Sequence, residues 1–351
     1  MGQVLGADAK TRLAARLTAQ LLSGPPARDP VAVAERVLAV QGQDPRGARL
    51  AVRARSEGLT AEDVDRALTE ERSLLITWLN RGTLHLVRSE DLSLIHAVTT
   101  PPLRTASARR LAEEGVPPND ADRGVAAIER ALAEEGPLSV DALRERVDAI
   151  GVRSKGQAMY HLLYRASLDG LIVRGPVVEG KHAYVLVRDW LGERDAVDRE
   201  QALPEFARRY LAGHGPATDR DMGRWAGIPL RDVRRGLEAI AGELDELGDG
   251  LVDLKARAPV AELPAPKLLG TFEPVLLGWI SREDIFGDQR SFVTDARLFD
   301  PFALVGGRAV ARWKLRQGQV ELEPPFGHLG RADAAALDKE AQDVRRFFTI
   351  G

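Results

Sequence analysis

The sequence predicts an α+β protein: three tandem winged-helix units forming a concave scaffold, followed by a small β-barrel-like domain. Three observations carry this expectation. Helical periodicity gives way to a short strand pair three times along the chain, and one supersecondary unit repeated in series marks a tandem array. From residue 264 to 332 helical patterning stops, and short apolar runs separated by Gly, Pro and Asp suggest a small antiparallel sheet or barrel. At 351 residues the chain is too long for one ordinary core. The expected segments are 1–118, 119–190, 191–258 and 264–351.

In the first unit, helices are expected near 9–22, 31–40, 47–57 and 60–70. Asp29-Pro30 reads as an N-cap followed by a first helical residue. A hairpin follows, 74–78 and 83–87, turning at Asn80-Arg81-Gly82. The second unit has helices at 121–135, 139–149 and 155–169, with Ser139 at a helix start, then a hairpin of 171–174 and 182–187. The third has helices at 201–213, 218–226 and 230–241, closed by the strand pair 244–247 and 250–254. Residues 253–266, rich in Pro and Ala, read as the linker into the last domain. There, apolar runs at 268–269, 275–279, 309–315 and 320–322 precede one final helix at 332–348.

Composition excludes several classes. A chain that is 44% hydrophobic and 29% charged is globular, not disordered. With no cysteine, disulfides, thiolate catalysis and Cys-type zinc fingers are excluded. No run approaches the roughly 20 apolar residues that span a bilayer, so no membrane partner and a cytoplasmic location are expected. The histidines, including His96, His161, His182, His214 and His328, lack metal-ligand spacing, and no phosphate loop or nucleophile elbow occurs. No metal and no cofactor are therefore expected. A net charge of −3 argues against general nucleic-acid attraction, although a local basic face can bind DNA on an acidic protein.

The most informative stretch is 39–46, Ala-Val-Gln-Gly-Gln-Asp-Pro-Arg. Gln41 and Gln43 stand where a helix is expected to end, with Gly42 able to take the left-handed conformation that closes it. Inside a helix the two would point about 200° apart; at a terminus both carboxamides can face one pocket. A polar C-terminal turn is the plainer reading of the spacing. Asp44 either caps the turn or assists chemistry, and Pro45 pushes it into extended geometry. Arg46, Arg49 and Arg53 follow at i, i+3 and i+7, a stripe that fits phosphate contact or a solvated face. On the first hairpin, alternation places Arg81, Thr83 and His85 on one side, from which a wing can enter a groove. Arg104, Arg109 and Arg110 form a further cluster, and Gly287-Asp288-Gln289-Arg290 a polar turn.

Taken in order, QGQDP (41–45), TWLNRGTLHLV (77–87), DMGRWAGI (221–228) and LLGTFEPVLLGW (268–279) make the chain resemble the bacterial winged-helix DNA glycosylases of the AlkZ and YcaQ type over nearly its whole length. The resemblance implies three tandem winged helices carrying a C-terminal β-barrel, and a catalytic Gln-Φ-Gln motif with Φ usually apolar. Gln41 and Gln43 match its polar positions, and Gly42 departs from the middle one. It further implies a monofunctional DNA glycosylase excising bulky or cross-linked N7-alkylated purines from damaged duplex DNA, in DNA repair or self-resistance to a DNA-alkylating natural product. The candidate catalytic residues are then Gln41, Gln43 and Asp44, and the DNA-binding residues Arg46, Arg49, Arg53, Arg81, Thr83 and His85. No obligate protein partner is evident, and a monomer is expected. The rival is a non-catalytic winged-helix DNA-binding regulator, with a drug-sequestering protein as a third reading, because a fold does not fix a function. The glutamine pair discriminates, since a regulator gives no reason for two carboxamides in one cleft.

Overall fold

The computed structural model describes residues 9–178, 181–287, 299–325 and 329–349. The chain begins with α1 (Ala9–Ala19), α2 (Pro30–Val37), a two-residue strand β1 (Val40–Gln41), α3 (Pro45–Arg55) and α4 (Ala61–Thr69). The first hairpin, β2 (Leu74–Leu79) and β3 (Thr83–Arg88), is followed by α5 (Leu92–Thr99) and α6 (Pro101–Glu113). Next come α7 (Pro118–Glu135), α8 (Val140–Ala149), α9 (Ala158–Leu168), β4 (Ile172–Val178), β5 (Lys181–Leu186) and the short α10 (Val187–Leu191). Then α11 (Arg199–His214), α12 (Asp219–Ala226), α13 (Leu230–Ala239), β6 (Leu244–Glu246) and β7 (Val252–Leu254) follow. The last stretch holds β8 (Lys267–Leu269), α14 (Pro274–Leu277), α15 (Glu283–Phe286), β9 (Phe302–Val305), β10 (Arg308–Arg316), β11 (Gln319–Leu322) and α16 (Arg331–Thr349).

Helix and strand are mixed, and compactness divides the chain into residues 1–64 with 203–351, and residues 65–202. In each of these units one order of elements recurs. Around α7, α8 and α9, the loop residue Leu138 bridges Tyr184 of the hairpin that follows. Around α11, α12 and α13, Ala217 bridges Val252 in the same way. The helix starts agree with their capping chemistry. Ser139 accepts from Ala142 N, and Thr218 and Asp221 form a reciprocal capping box that ties off α12.

In the unit of residues 65–202, the first hairpin is not a free wing. β2 pairs with β3 on one side and, through Ile76 and Arg174, with β4 on the other, so the strands run in the order β3-β2-β4-β5. The reason lies in Leu-Leu-Ile-Thr-Trp-Leu, which is buried at every position. A strand apolar on both faces needs cover on both faces and neighbours along both edges. Trp78 stacks on Tyr184 at 6.3 Å and meets Tyr160 edge-on at 5.3 Å, joining the two hairpins through one aromatic cluster.

In the other unit, the C-terminal strands form a four-stranded antiparallel sheet, β11-β10-β9-β8. Its ends do not meet among the described residues, so the barrel-like expectation becomes an open, half-barrel sheet. A bulge between Ala309 and Ala311 bends β10. α16 covers the sheet, and Leu50 of α3 joins Leu268, Trp313, Leu337 and Val344 in one core. Burying side chains of this size contributes about 1.5–3 kcal/mol each. The apolar run at 275–279, expected as a strand, begins in the one-turn helix α14, because Pro274 presets its first residue and Glu273 caps it. Among the described residues no helix is long and apolar enough to cross a membrane.

Candidate active site

The glutamine turn is built by the residues before it. Asp29 caps α2, accepting from Ala32 N at 2.8 Å, and Pro30 opens the helix as expected. The helix stops at Val37, earlier than periodicity suggested. Leu38, not Gly42, takes the positive φ of 66°, a conformation that costs a leucine energy and that its full burial holds in place. The chain therefore reaches Gln41 already extended, where residues two apart point to one side. This explains the contact between the glutamines: Gln41 Nε2 donates to Gln43 Oε1 at 2.5 Å.

The two carboxamides stand in different surroundings. Gln41 is 6% exposed, while Gln43 is exposed. With Gln41 Nε2 committed to Gln43, its Oε1 is a buried acceptor without a hydrogen-bond partner among the described residues. With Gln43 Oε1 committed to Gln41, its Nε2 is the end left to face outward. The pair thus offers a buried acceptor beside an accessible donor, which suits holding a water against a polar substrate atom. Asp44 caps α3, accepting from Arg46 N at 2.9 Å, and Pro45 is the first helical residue. Gln43 is therefore joined through its neighbour to the start of α3.

The arginine stripe separates. Arg46 is exposed. Arg49 is buried, with Nη1 donating to Pro45 O at 2.9 Å. Arg53 is corrected outright as a phosphate contact: its side chain is 3% exposed and is held by Glu340 at 2.9 Å, Asp343 at 2.8 Å and Leu268 O at 2.6 Å. The face of α3 that looked solvated packs on the C-terminal sheet and α16, and the acids that neutralise Arg53 lie almost 300 residues away in sequence. Two residues on, Arg55 and Glu273 form a fully buried ion pair at 2.5 Å that Gln20 joins.

The hairpin set lies in the unit of residues 65–202. Arg81 and Thr83 are half-buried near the turn, where Asn80 and Gly82 both take positive φ. Thr83 Oγ1 has no hydrogen-bond partner among the described residues. His85 is corrected as a wing-tip contact. It faces Thr77 across the buried ladder, is 3% exposed, and its Nδ1 lies 2.8 Å from Thr83 O. Burial pushes its pKa down to about 3, so the ring is neutral at pH 7.

Sequence reading missed a second basic face. Arg231, Arg234 and Arg235 are exposed on α13 at i, i+3 and i+4, opposite the buried Val233 and Gly236. The periodicity was there to be read, but Asp219 and Asp232, which pair with Arg234 and Arg231, dilute the local charge. Arg104, Arg109 and Arg110 are exposed along α6 beside Asp169 and Glu113. Gly287 closes α15; Asp288, Gln289, Arg290 and His328 lie outside the described residues. His214 is a core residue, stacked on Tyr210 at 4.7 Å.

Comparison with known proteins identifies the family. The family model for AlkZ-like DNA glycosylases matches residues 34–347, from inside α2 to inside the last turn of α16. A Streptomyces sahachiroi protein, known as an interstrand DNA cross-link repair glycosylase, is 27% identical over 345 residues, spanning 90% of this chain and 89% of its own. The solved structure of the Streptomyces sahachiroi DNA glycosylase AlkZ shares the fold with a TM-score of 0.79 at 24% identity, covering 98% of this chain and 97% of that one. With the match running through the glutamine turn, both units and the C-terminal sheet, the chain belongs to the AlkZ-like DNA glycosylase family.

Proposed function

We propose that this glycosylase removes N7-alkylated purines, including bulky and cross-linked ones, from duplex DNA by hydrolysis, and that Gln41 and Gln43 carry the reaction. The observation behind this reading is the buried Oε1 of Gln41, without a hydrogen-bond partner among the described residues, beside the exposed Gln43. Alkylation at N7 leaves the purine cationic, so the base departs as a neutral molecule without strong acid catalysis. What remains is to hold water beside C1′ while the sugar acquires oxocarbenium character. Gln41 Oε1 accepts from that water and aims its lone pair; Gln43 Nε2 donates to a sugar or phosphate oxygen. The water oxygen bonds to C1′, the C1′–N9 bond breaks toward the base, and the water proton leaves to solvent or to Asp44. A carboxamide takes up no proton near neutral pH, which suits a reaction whose leaving group needs none.

DNA would be held by winged-helix units read from the recurring order of helix, bridge, two helices and hairpin, within the sequence segments 1–118, 119–190 and 191–258, ahead of the domain at 264–351. Arg46, with Arg49 behind it, is proposed to meet phosphates beside the turn, and Arg81 and Thr83 to meet DNA from the hairpin. The relative named for interstrand cross-link repair supports a cross-linked substrate; a role in self-resistance to a DNA-alkylating natural product is proposed with it. A cytoplasmic monomer fits this reading. The test is release of an abasic site, scored by alkaline strand cleavage, from duplexes carrying one N7-methylguanine. No excision there or on a purine cross-linked at N7 would refute the substrate class.

A further inference from the structure

Gln43 lies beyond the two-residue strand β1 that holds Gln41, and it is exposed. Its fixed point is α3, which starts two residues after Gln43 and is tied to it by the Asp44 cap. Two contacts seat α3 on the chain around β8. At its first turn, Gly47 lies so near Thr271 that a Cβ on Gly47 would sit 2.5 Å from the Thr271 carbonyl oxygen. Gly270 answers from the other side, where a Cβ would sit 2.8 Å from Leu50 Cβ and 3.2 Å from Gly47 O. Real Cβ atoms do not approach so closely, so two glycines set this spacing by what they lack. Further along the same helix, Arg53 grips Leu268 O, Glu340 and Asp343. The seat itself is braced: Leu268 N donates to Glu340 and Trp313 Nε1 donates to Leu269 O.

We propose that Gly47 and Arg53 are positioning residues that set the glutamine turn through α3, which makes the C-terminal sheet a working part of the active site. This rests on the reading of Gln41 and Gln43 given above. A stiff helix moves as a body, so lifting its first turn off Thr271 displaces Gln43 with it. A displacement near 1 Å costs on the order of 10²-fold in rate when water must be aimed. Arg53 holds the far end and has the smaller lever on the turn.

The test compares Gly47→Ala, Gln43→Ala and the double variant, by single-turnover excision at saturating N7-methylguanine duplex and by DNA affinity. Gly47→Ala is expected to lower the rate about 10- to 100-fold with affinity within about threefold of wild type. The double variant is expected to be no slower than Gln43→Ala alone, because the glycine acts only through the glutamine. Asp343→Asn, which loosens the Arg53 grip at the rim, should lower the rate a few fold, again only when Gln43 is present; it serves if Gly47→Ala does not fold. Multiplicative losses in the double variant, a loss confined to affinity, or a wild-type rate in either folded variant would overturn the positioning role while leaving the glutamines in place. A wild-type rate in Gln43→Ala would instead overturn the glutamine reading itself.

Discussion

Replacing Gln41 by alanine separates catalysis from folding more cleanly than any other change in the site. The side chain is 6% exposed and makes one hydrogen bond, to Gln43, while its Oε1 has no partner among the described residues. Losing that bond costs about 0.5–1.5 kcal/mol, but losing a buried unpaired acceptor returns about 1–3 kcal/mol of desolvation, so the two nearly cancel. The melting temperature should move by no more than about 4 °C, the shift that 1 kcal/mol produces in a domain of this size. The rate should fall by about 10²–10³, equivalent to about 2.7–4 kcal/mol of transition-state stabilisation, as when one preorganised donor or acceptor is removed. Single-turnover excision on an N7-methylguanine duplex gives the rate, and calorimetry gives the melting temperature. A variant that excises at the wild-type rate refutes the assignment. A variant that is slow only because it melts many degrees lower refutes the claim that the carboxamide is held for chemistry.

The neighbouring arginines should part company. Arg46→Ala should flatten the salt dependence of duplex binding by about 0.9 in log-log slope without changing stability, as fluorescence anisotropy across a salt series will show. Arg53→Ala, which removes a buried guanidinium from Glu340 while Asp343 keeps Arg346, should destabilise by about 1–3 kcal/mol in denaturant titration. Excision should proceed unchanged in EDTA; activity lost in chelator and restored by one divalent ion would reveal a metal site. His85 and His214 both have pKa values pushed down to about 3 by burial, so the unfolded chain binds more protons than the folded one between about pH 3 and 6.5. Their stability contribution is complete above pH 6.5 and is lost as pH falls toward 3, at about 1.4 kcal/mol per pH unit for each ring. His85→Gln should remove one ring's share from that acid limb in urea melts at graded pH.

Local chemistry was legible from sequence, and long-range pairing was not. Asp29-Pro30, Ser139 and the Thr218 box announce helix starts because a cap and its donors lie within three residues. The glutamines were identifiable as a pair, but their meeting depends on Leu38 ending α2 early, and a buried leucine at positive φ has no sequence signature. Arg53 and His85 were misjudged for one shared reason. Periodicity reports which residues share a face; it does not report what covers that face. Glu340 and Asp343 supply that cover for Arg53 from a distant part of the chain, and His85 is 3% exposed on its strand. The exposed stripe on α13 shows the converse, since its periodicity alone would have been enough.

The bonds from Arg53 to α16 span 287 and 290 residues of sequence, and one compact unit is interrupted by the whole of the other. During synthesis this imposes an order. A ribosome adding about 5–20 residues per second delivers Asp343 roughly 15–60 s after Arg53, long enough for residues 65–202 to fold before the seat of α3 exists. Until Glu273 is made Arg55 lacks its acidic partner, until Glu340 and Asp343 are made Arg53 lacks its own, and Leu50 has no core to enter. If α3 sets the glutamine turn as proposed, that turn is among the last features to take its working shape, after the C-terminal helix has docked.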